Sequence, residues 1–478
     1  MLPPWRPACF VRSVLACLCM AGSLLTMPAS AQGSLPHLGD GAELSLSQER
    51  ALGDSIITSL YRDPDYLDDA PLHAYVMQIW QPLVQAALQR GDLSEELYQR
   101  FAWQVLLGRD RSINAFALPG GYLGVHTGLI GAVAHRDELA TVLAHELSHV
   151  SQRHIARLFA QQQRMTPLMI GTMLLGALAA SKSPHAAEAL MVGGQAAAIQ
   201  SQLNFSRDME READRLGFAL MAPGGFAPQG FVTMFDKLQQ ANRLNDNGNW
   251  PYLRSHPLTT ARIADMQARL PTQTRASEPS PTLEHALLAA RARVLARPGV
   301  DVLRQWSALP HSSGFAAQPL HQRVAAWYAA ALRQVRLLAA QWALQAEQPA
   351  QALQQLDAAS RGRPELLLRS QALLRLGQAA QASGPLELWL SQHPQDASAW
   401  QLLAQAWQQQ GQVLRSVRAE AEARAAHYDW AAAIDRLRAG QALARSQPHV
   451  AQDHIEASII DTRLRVFESR FREQAAQR

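Results

Sequence analysis

The sequence is short of cysteine, of net charge and of long apolar runs, and each shortage removes a class of protein. Its three cysteines, Cys9, Cys17 and Cys19, all fall near the start, so the rest of the chain builds neither a disulfide framework nor a cysteine metal site. The formal net charge is +4, of which Arg6 and Arg12 in the leader described next supply two. Without a basic cluster, no nucleic-acid partner is expected. Past the leader, no segment reaches the roughly 18 to 20 continuous apolar residues that a spanning helix requires. What is present is an interior: 48% of residues are hydrophobic, enough for two ordinary cores. Arg6 and Arg12 flank the start of an apolar run, Val14 to Met27, closed by Pro28 and Ala29-Ser30-Ala31. That order predicts a cleaved signal peptide over residues 1–31.

One stretch carries chemistry. Asp137 to Ile155, DELATVLAHELSHVSQRHI, holds His145, Glu146 and His149 in the order H-E-x-x-H. Helical residues four apart lie about 40° apart on one face, so both imidazoles can be aimed at one ion. Glu146, about 100° round from His145, can hold a water without ligating the metal, which is the place of a general base. Leu139, Leu143, Leu147 and Val150 fall on the other side and give the helix an apolar back.

A catalytic zinc needs a third protein ligand and an open position. In SRDMEREADRLG, Ser206 to Gly217, Glu210 and Asp214 share a helix face while Glu212 points elsewhere. Glu210 is read as the third ligand. Asp214 suits a carboxylate that accepts the free N–H of a ligating histidine and fixes its tautomer. His154 lacks the H-E-x-x-H-x-x-G-x-x-H context of a ligand, because position 152 is Gln. Placed about 180° round from His145, it is expected in the apolar back, packed and not metal-bound.

HELSH, SRDMEREAD and NAFALPGGYLGVHTGLI (Asn114 to Ile130) together resemble the zinc metallopeptidases that include HtpX and the CAAX prenyl proteases. The likeness is greatest to their soluble periplasmic branch with a helical-repeat tail, and it runs from about Leu44 to Ala268, more loosely beyond. It implies an α+β zincin-like domain with a small β-sheet, one zinc ion per chain and a Gram-negative periplasmic location. It also implies unfolded or misfolded outer-membrane proteins as substrates, and docking of the repeats onto the outer-membrane protein assembly machinery. Peptidases of this architecture hold substrate extended against an edge strand. On sequence alone Tyr122 to His126 is equally an ordinary strand under the metal helix; the resemblance tips it to the edge, with Tyr122, Gly124 and His126 as substrate-binding residues. RSHPLTTARIADMQARL, Arg254 to Leu270, matches the family's His-Pro segment and so places His256 near the metal. Its role is either catalytic, as an oxyanion donor for which Tyr252 is the rival, or that of an inhibitory fourth ligand.

Around the site, Leu46 to Leu60, capped by Ser47, and Ala74 to Leu88 read as helices, and Phe101 to Leu107 as a strand. Two apolar segments, Leu168 to Ala180 and Ala186 to Ile199, suit a helical hairpin carrying Met165, Met169 and Met173 at its start. It is read as a flap over the cleft, as a surface in peripheral contact with a membrane, or as plain core packing. After a Pro/Ser/Thr-rich linker the composition turns to Ala, Leu, Gln and Arg at helical spacing. Gly377 and Gly411 each end a helix-like run; Trp400, Leu403, Ala404 and Trp407, then Trp430, Ala433, Ile434 and Leu437, fit paired tetratricopeptide helices.

The expected architecture is mainly α, with a signal peptide at 1–31, a zinc metallopeptidase domain at 40–270, a linker at 271–284 and an all-α tetratricopeptide-like domain at 285–478. The expected activity is that of a zinc endopeptidase with chaperone-like function in outer-membrane β-barrel assembly. The competing reading is a latent or non-catalytic repeat-based scaffold. An intact Glu146 argues against a dead site, because a structural zinc has no use for a water-activating carboxylate.

Overall fold

A computed structural model describes residues 44–161, 206–243, 251–270, 282–299, 301–302, 323–357, 359–446 and 453–476. The leader, the two apolar segments between 162 and 205 and most of the linker lie outside the described residues.

Helix α1 (Leu46–Tyr61) starts at the expected residue, but its cap is Ser45, not Ser47. Ser45 Oγ accepts the Gln48 N–H at 3.3 Å while Gln48 Oε1 accepts the Ser45 N–H at 2.9 Å, a reciprocal pair that needs a three-residue spacing. The next helix, α2 (Ala70–Arg90), begins before Ala74 because Asp69 accepts the Leu72 N–H at 3.0 Å and Pro71 suits the first turn. A short α3 (Glu95–Arg100) takes the chain past Phe101, so the strand expected there starts later, at Gln104.

The strands are β1 (Tyr66–Leu67), β2 (Gln104–Gly108), β3 (Ala115–Leu118) and β4 (Tyr122–His126), in the sheet order β1-β2-β4-β3. β2 runs parallel to β4; β1 with β2 and β3 with β4 are antiparallel. This corrects the placement of Tyr122 to His126 at an edge, since β4 is paired on both sides. The edge is β3. With His126 N–H bonded to Asn114 O, antiparallel alternation turns the main-chain groups of Ala115 and Ala117 away from β4.

The side chains of β4 are spoken for as well. Tyr122 Oη donates to Asp54 at 2.6 Å and lies 2.8 Å from Tyr428 Oη. His126 Nδ1 lies 2.9 Å from Ser112 Oγ, and a Cβ on Gly124 would fall 2.2 Å from the Phe116 ring. Gly124 is there so that this ring can lie across the strand.

Helices α4 (Thr127–Ala132) and α5 (Arg136–Ser151) follow, then α6 (His154–Gln161), α7 (Arg207–Met221), α8 (Gln229–Arg243), α9 (Tyr252–Ser255) and α10 (Thr260–Arg269). The apolar back of α5 is buried as expected, but so is every residue from Glu138 to Val150. The reason is that α2, β3, α7 and α8 pack round it. Glycine again permits the approach, because a Cβ on Gly217 of α7 would come within 3.1 Å of the backbone at Ala144 and His145.

The remaining helices are α11 (Leu283–Leu295), α12 (Arg323–Gln345), α13 (Pro349–Gln355), α14 (Arg363–Arg375), α15 (Ala379–Gln392), α16 (Ala397–Gln409), α17 (Val413–Ala426), α18 (Trp430–Ser446) and α19 (His454–Ala476). From α13 to α18 short connections pack each helix on the next. Gly377 (φ 72°) and Gly411 (φ 73°) end α14 and α16 in the left-handed conformation that a β-carbon would strain. This helical array is fastened to the first half by ions and hydroxyls: Arg291 to Asp69 at 2.6 Å, Arg363 between Asp68 at 2.9 Å and Asp396 at 2.7 Å, and Tyr428 to Tyr122. No described helix is long and apolar enough to cross a membrane.

Gly124→Ala is expected to destabilise the protein by about 1–3 kcal/mol through overpacking, measured by urea unfolding. In a Phe116→Ala background most of that cost should vanish; strictly additive losses would show that the ring does not dictate the glycine.

Candidate metal centre

The site forms where α5 crosses α7. Ser206 starts α7 by accepting the Met209 N–H at 3.2 Å, and the close crossing at Gly217 leaves Asp214 about one turn and Glu210 about two turns back along α7. Both carboxylates thus come level with the histidines of α5. His145 Nε2 and His149 Nε2 lie 2.9 Å apart, with Glu210 oxygens 3.6 Å and 3.5 Å from them. His256, which follows α9, joins them: its Nδ1 is 3.3 Å from His145 Nε2 and 2.9 Å from Glu210 Oε1. One ligand atom from each of the four lies within 4.8 Å of all the others. Ligands of a tetrahedral ion at about 2.0–2.1 Å stand about 3.3 Å apart, and the five separations just given fall on either side of that, from 2.9 to 3.6 Å. Two imidazole nitrogens facing each other and a carboxylate in a buried pocket also make a donor set suited to a divalent cation.

Glu146 sits beside this group, wholly buried. Its Oε2 accepts the Ala117 N–H of the β3 edge at 2.9 Å, and its Oε1 lies 3.4 Å from His256 Nε2 with no hydrogen-bond partner among the described residues. Burial raises its pKa despite the nearby His256 and His145. Burial also opposes charge on His145, yet hydrogen bonds to Asp214 and Glu210 outweigh it and carry that pKa up to about 9. His149 is pushed well below the ordinary value by burial and by His145. Glu210 and Asp214 are held low against their burial, the first by His256 and His145, the second by Arg262 and His145.

Asp214 Oδ1 lies 3.0 Å from His145 Nδ1. Arg262 was not foreseen, and His154, buried and outside the ligand cluster as expected, stands in a different place. Arg262 of α10 is 4% exposed and grips Asp214 with two hydrogen bonds of 2.6 Å and 2.8 Å, Glu210 Oε2 at 2.7 Å and Pro257 O at 2.8 Å. It lies six residues past His256, at a spacing no periodicity marks. His154 is not in the apolar back of α5: α5 ends at Ser151, Arg153 adopts φ 51°, and the chain turns so that His154 Nδ1 comes 2.9 Å from His149 Nδ1. The helical wheel failed there because the helix had stopped. Tyr252 stacks on His256 with centroids 4.7 Å apart. Tyr122, Gly124 and His126 stay within the sheet, as described above.

The crossed helices, the buried His/His/Glu set and the neighbouring carboxylate are those of a metallopeptidase. Residues 78–270 match peptidase family M48, and the chain belongs to that family. Among its relatives, the putative beta-barrel assembly-enhancing protease of Vibrio cholerae serotype O1 is 35% identical over 302 residues, which is 61% of this chain and 58% of that protein. The beta-barrel assembly-enhancing protease of Escherichia coli K12 is 30% identical over 413 residues, covering 79% of this chain and 81% of that protein. The mitochondrial metalloendopeptidase OMA1 of Saccharomyces cerevisiae is 29% identical over 206 residues, 42% of this chain and 56% of that protein.

Replacing Arg262 by Met leaves two buried carboxylates without their cation and is expected to cost about 3–5 kcal/mol of stability. Because the folded pKa of Asp214 is depressed, its contribution is present above about pH 4 and is lost as the pH falls through the folded value. Thermal unfolding of the chelator-treated protein should show that acid limb, and Asp214→Asn should flatten it.

Proposed function

We propose that the chain is a zinc-dependent endopeptidase, exported to the periplasm of a Gram-negative bacterium by its residues 1–31. In this reading residues 40–270 are the peptidase and residues 285–478 a tetratricopeptide-type adaptor. Unfolded or misfolded outer-membrane β-barrel proteins are the substrates, and the adaptor docks onto their assembly machinery. The observation that carries the activity is the buried cluster of His145, His149 and Glu210 with the Glu146 carboxylate alongside. The names of the Vibrio and Escherichia relatives support the biological setting.

Two imidazoles and one carboxylate are a frequent zinc set, and His145, His149 and Glu210 would hold the ion. Bound there, zinc supplies Lewis acidity that polarises the scissile carbonyl and activates water near neutral pH. The chain supplies the rest. Glu146 is held in place through Oε2 by Ala117, leaves Oε1 to take a proton and returns it to the leaving amine, and its raised pKa suits both transfers. The outward main-chain groups of Ala115 and Ala117 offer an edge on which an extended peptide can lie antiparallel, gripped without regard to its sequence. This moves the substrate strand from β4 to β3.

His256 fits the inhibitory role. Its Nδ1 stands within the ligand set, in the region a hydrolytic site keeps open. The chain is thus a latent peptidase whose His256 must withdraw.

Degradation of an unfolded outer-membrane barrel protein by the zinc-loaded chain tests this. Glu146→Gln should lower the rate by about 10²–10⁴-fold while zinc stays bound, and His256→Ala should raise it. A His256→Ala variant as inactive as Glu146→Gln would make His256 the oxyanion donor instead. If neither the wild type nor His256→Ala cleaves with zinc bound, the scaffold reading stands in place of the peptidase.

A further inference from the structure

We infer that His154 and Glu212 are positioning residues for His149, forming a relay that fixes which imidazole nitrogen faces the metal. The inference rests on the proposal that His149 is a ligand. His149 presents Nε2 to His145 and Glu210 and Nδ1 to His154 Nδ1, at 2.9 Å. His154 in turn presents Nε2 to Glu212 Oε2 at 3.0 Å. One arrangement of protons satisfies this chain. A nitrogen that gives its lone pair to a cation carries no proton, so the proton of a neutral His149 sits on Nδ1 and is donated to His154. His154 Nδ1 must then be the acceptor, its own proton sits on Nε2, and a carboxylate is there to receive it.

The relay parallels the direct Asp214 contact to His145 Nδ1, so both histidines of α5 are backed by a carboxylate, one of them through a second imidazole. Such outer partners orient a ligand and raise its basicity. The distances explain why the detour exists: α7 brings Asp214 to His145, while Glu212, two residues earlier, lies on a different face of α7 and reaches His149 only across the His154 ring. His154 is fully buried, whereas the Glu212 side chain is 37% exposed and also accepts from Arg157 Nη1 at 2.8 Å. The relay therefore runs from the metal site to the surface.

The test is zinc affinity of the full chain, read by competition with a chromophoric chelator, together with thermal unfolding of the metal-free protein. His154→Leu fills the space but cannot accept, and should weaken zinc about 10–100-fold. His154→Asn returns an acceptor oxygen near the lost Nδ1 but not the link to Glu212, so it should recover most of the affinity lost in His154→Leu and fall short of wild type by about the same several-fold as Glu212→Ala. Glu212→Ala, made at the half-exposed end where folding is least at risk, should weaken zinc several-fold, while Arg157→Ala, which breaks only the outer ion pair, should not. A role confined to tying α6 to α7 predicts instead that Leu and Asn lower the metal-free melting temperature alike and leave zinc affinity unchanged. Zinc bound by His154→Leu as tightly as by wild type, or by His154→Asn as weakly as by His154→Leu, overturns the relay. His149→Ala is run beside them: if it binds zinc as wild type does, the ligand assignment itself has failed and not the relay.

Discussion

Everything near the site follows from burying ionisable groups where two helices cross. His145, Glu146, His149, Glu210, Asp214, His256 and Arg262 are each at most 4% exposed. Such groups are tolerable in an apolar interior only when each is paired and hydrogen-bonded. The charges are balanced accordingly, with Arg262 serving two carboxylates, His145 lying between the same two and His256 reaching Glu210 and Glu146, while Glu146 Oε1 keeps no hydrogen-bond partner among the described residues. Because α5 is the member that carries three of these groups, it has to be enclosed on every side. The long apolar run of α2, the sheet and α8 are the enclosing wall.

The sheet then serves two purposes at once. Its β3 edge lies against α5 and fastens the Glu146 carboxylate through a main-chain N–H, so the orientation of that carboxylate depends on backbone and not on another side chain. Its inner strand β4 faces the opposite task. Tyr122, buried at the strand's start, bonds to Asp54 of α1 and to Tyr428 beyond α17, with Arg50 donating to the Tyr428 hydroxyl at 3.3 Å. The helical array and the half that carries the histidine cluster thus meet on the strand next to the one that touches Glu146.

How much of this was legible follows from the range over which each signal acts. Local spacing placed His145, Glu146 and His149 on one helix and Glu210 and Asp214 on another, because helical geometry converts four residues into one face without help from the rest of the fold. The breaks after Gly377 and Gly411 were visible for the same reason. Strand order was not: whether Tyr122 to His126 lies at an edge depends on where Ala115 to Leu118 folds back, and alternation looks the same in either strand. His154 was misplaced by extending a helical wheel past Arg153, a residue with no Gly or Pro to announce the break. Arg262 gave no signal at all, since a lone arginine in an otherwise soluble-looking helix is read as solvent-facing until the carboxylates it meets are known.

The segment carrying His256 is fastened unevenly, and this bears on how a closed site could open. On the far side of Pro257 the chain is held by charged contacts, with Arg262 donating to Pro257 O and Asp214 and ion-paired to Glu210. On the near side α9 is a four-residue turn, whose Tyr252 N–H reaches Ile113 O at 3.4 Å and whose ring stacks on the His256 imidazole. Tyr252 is buried in the main core, so this side is held by apolar packing where the other is held by charge. In the reading proposed above, in which His256 withdraws, Arg262 would still hold Asp214 and Glu210 in place.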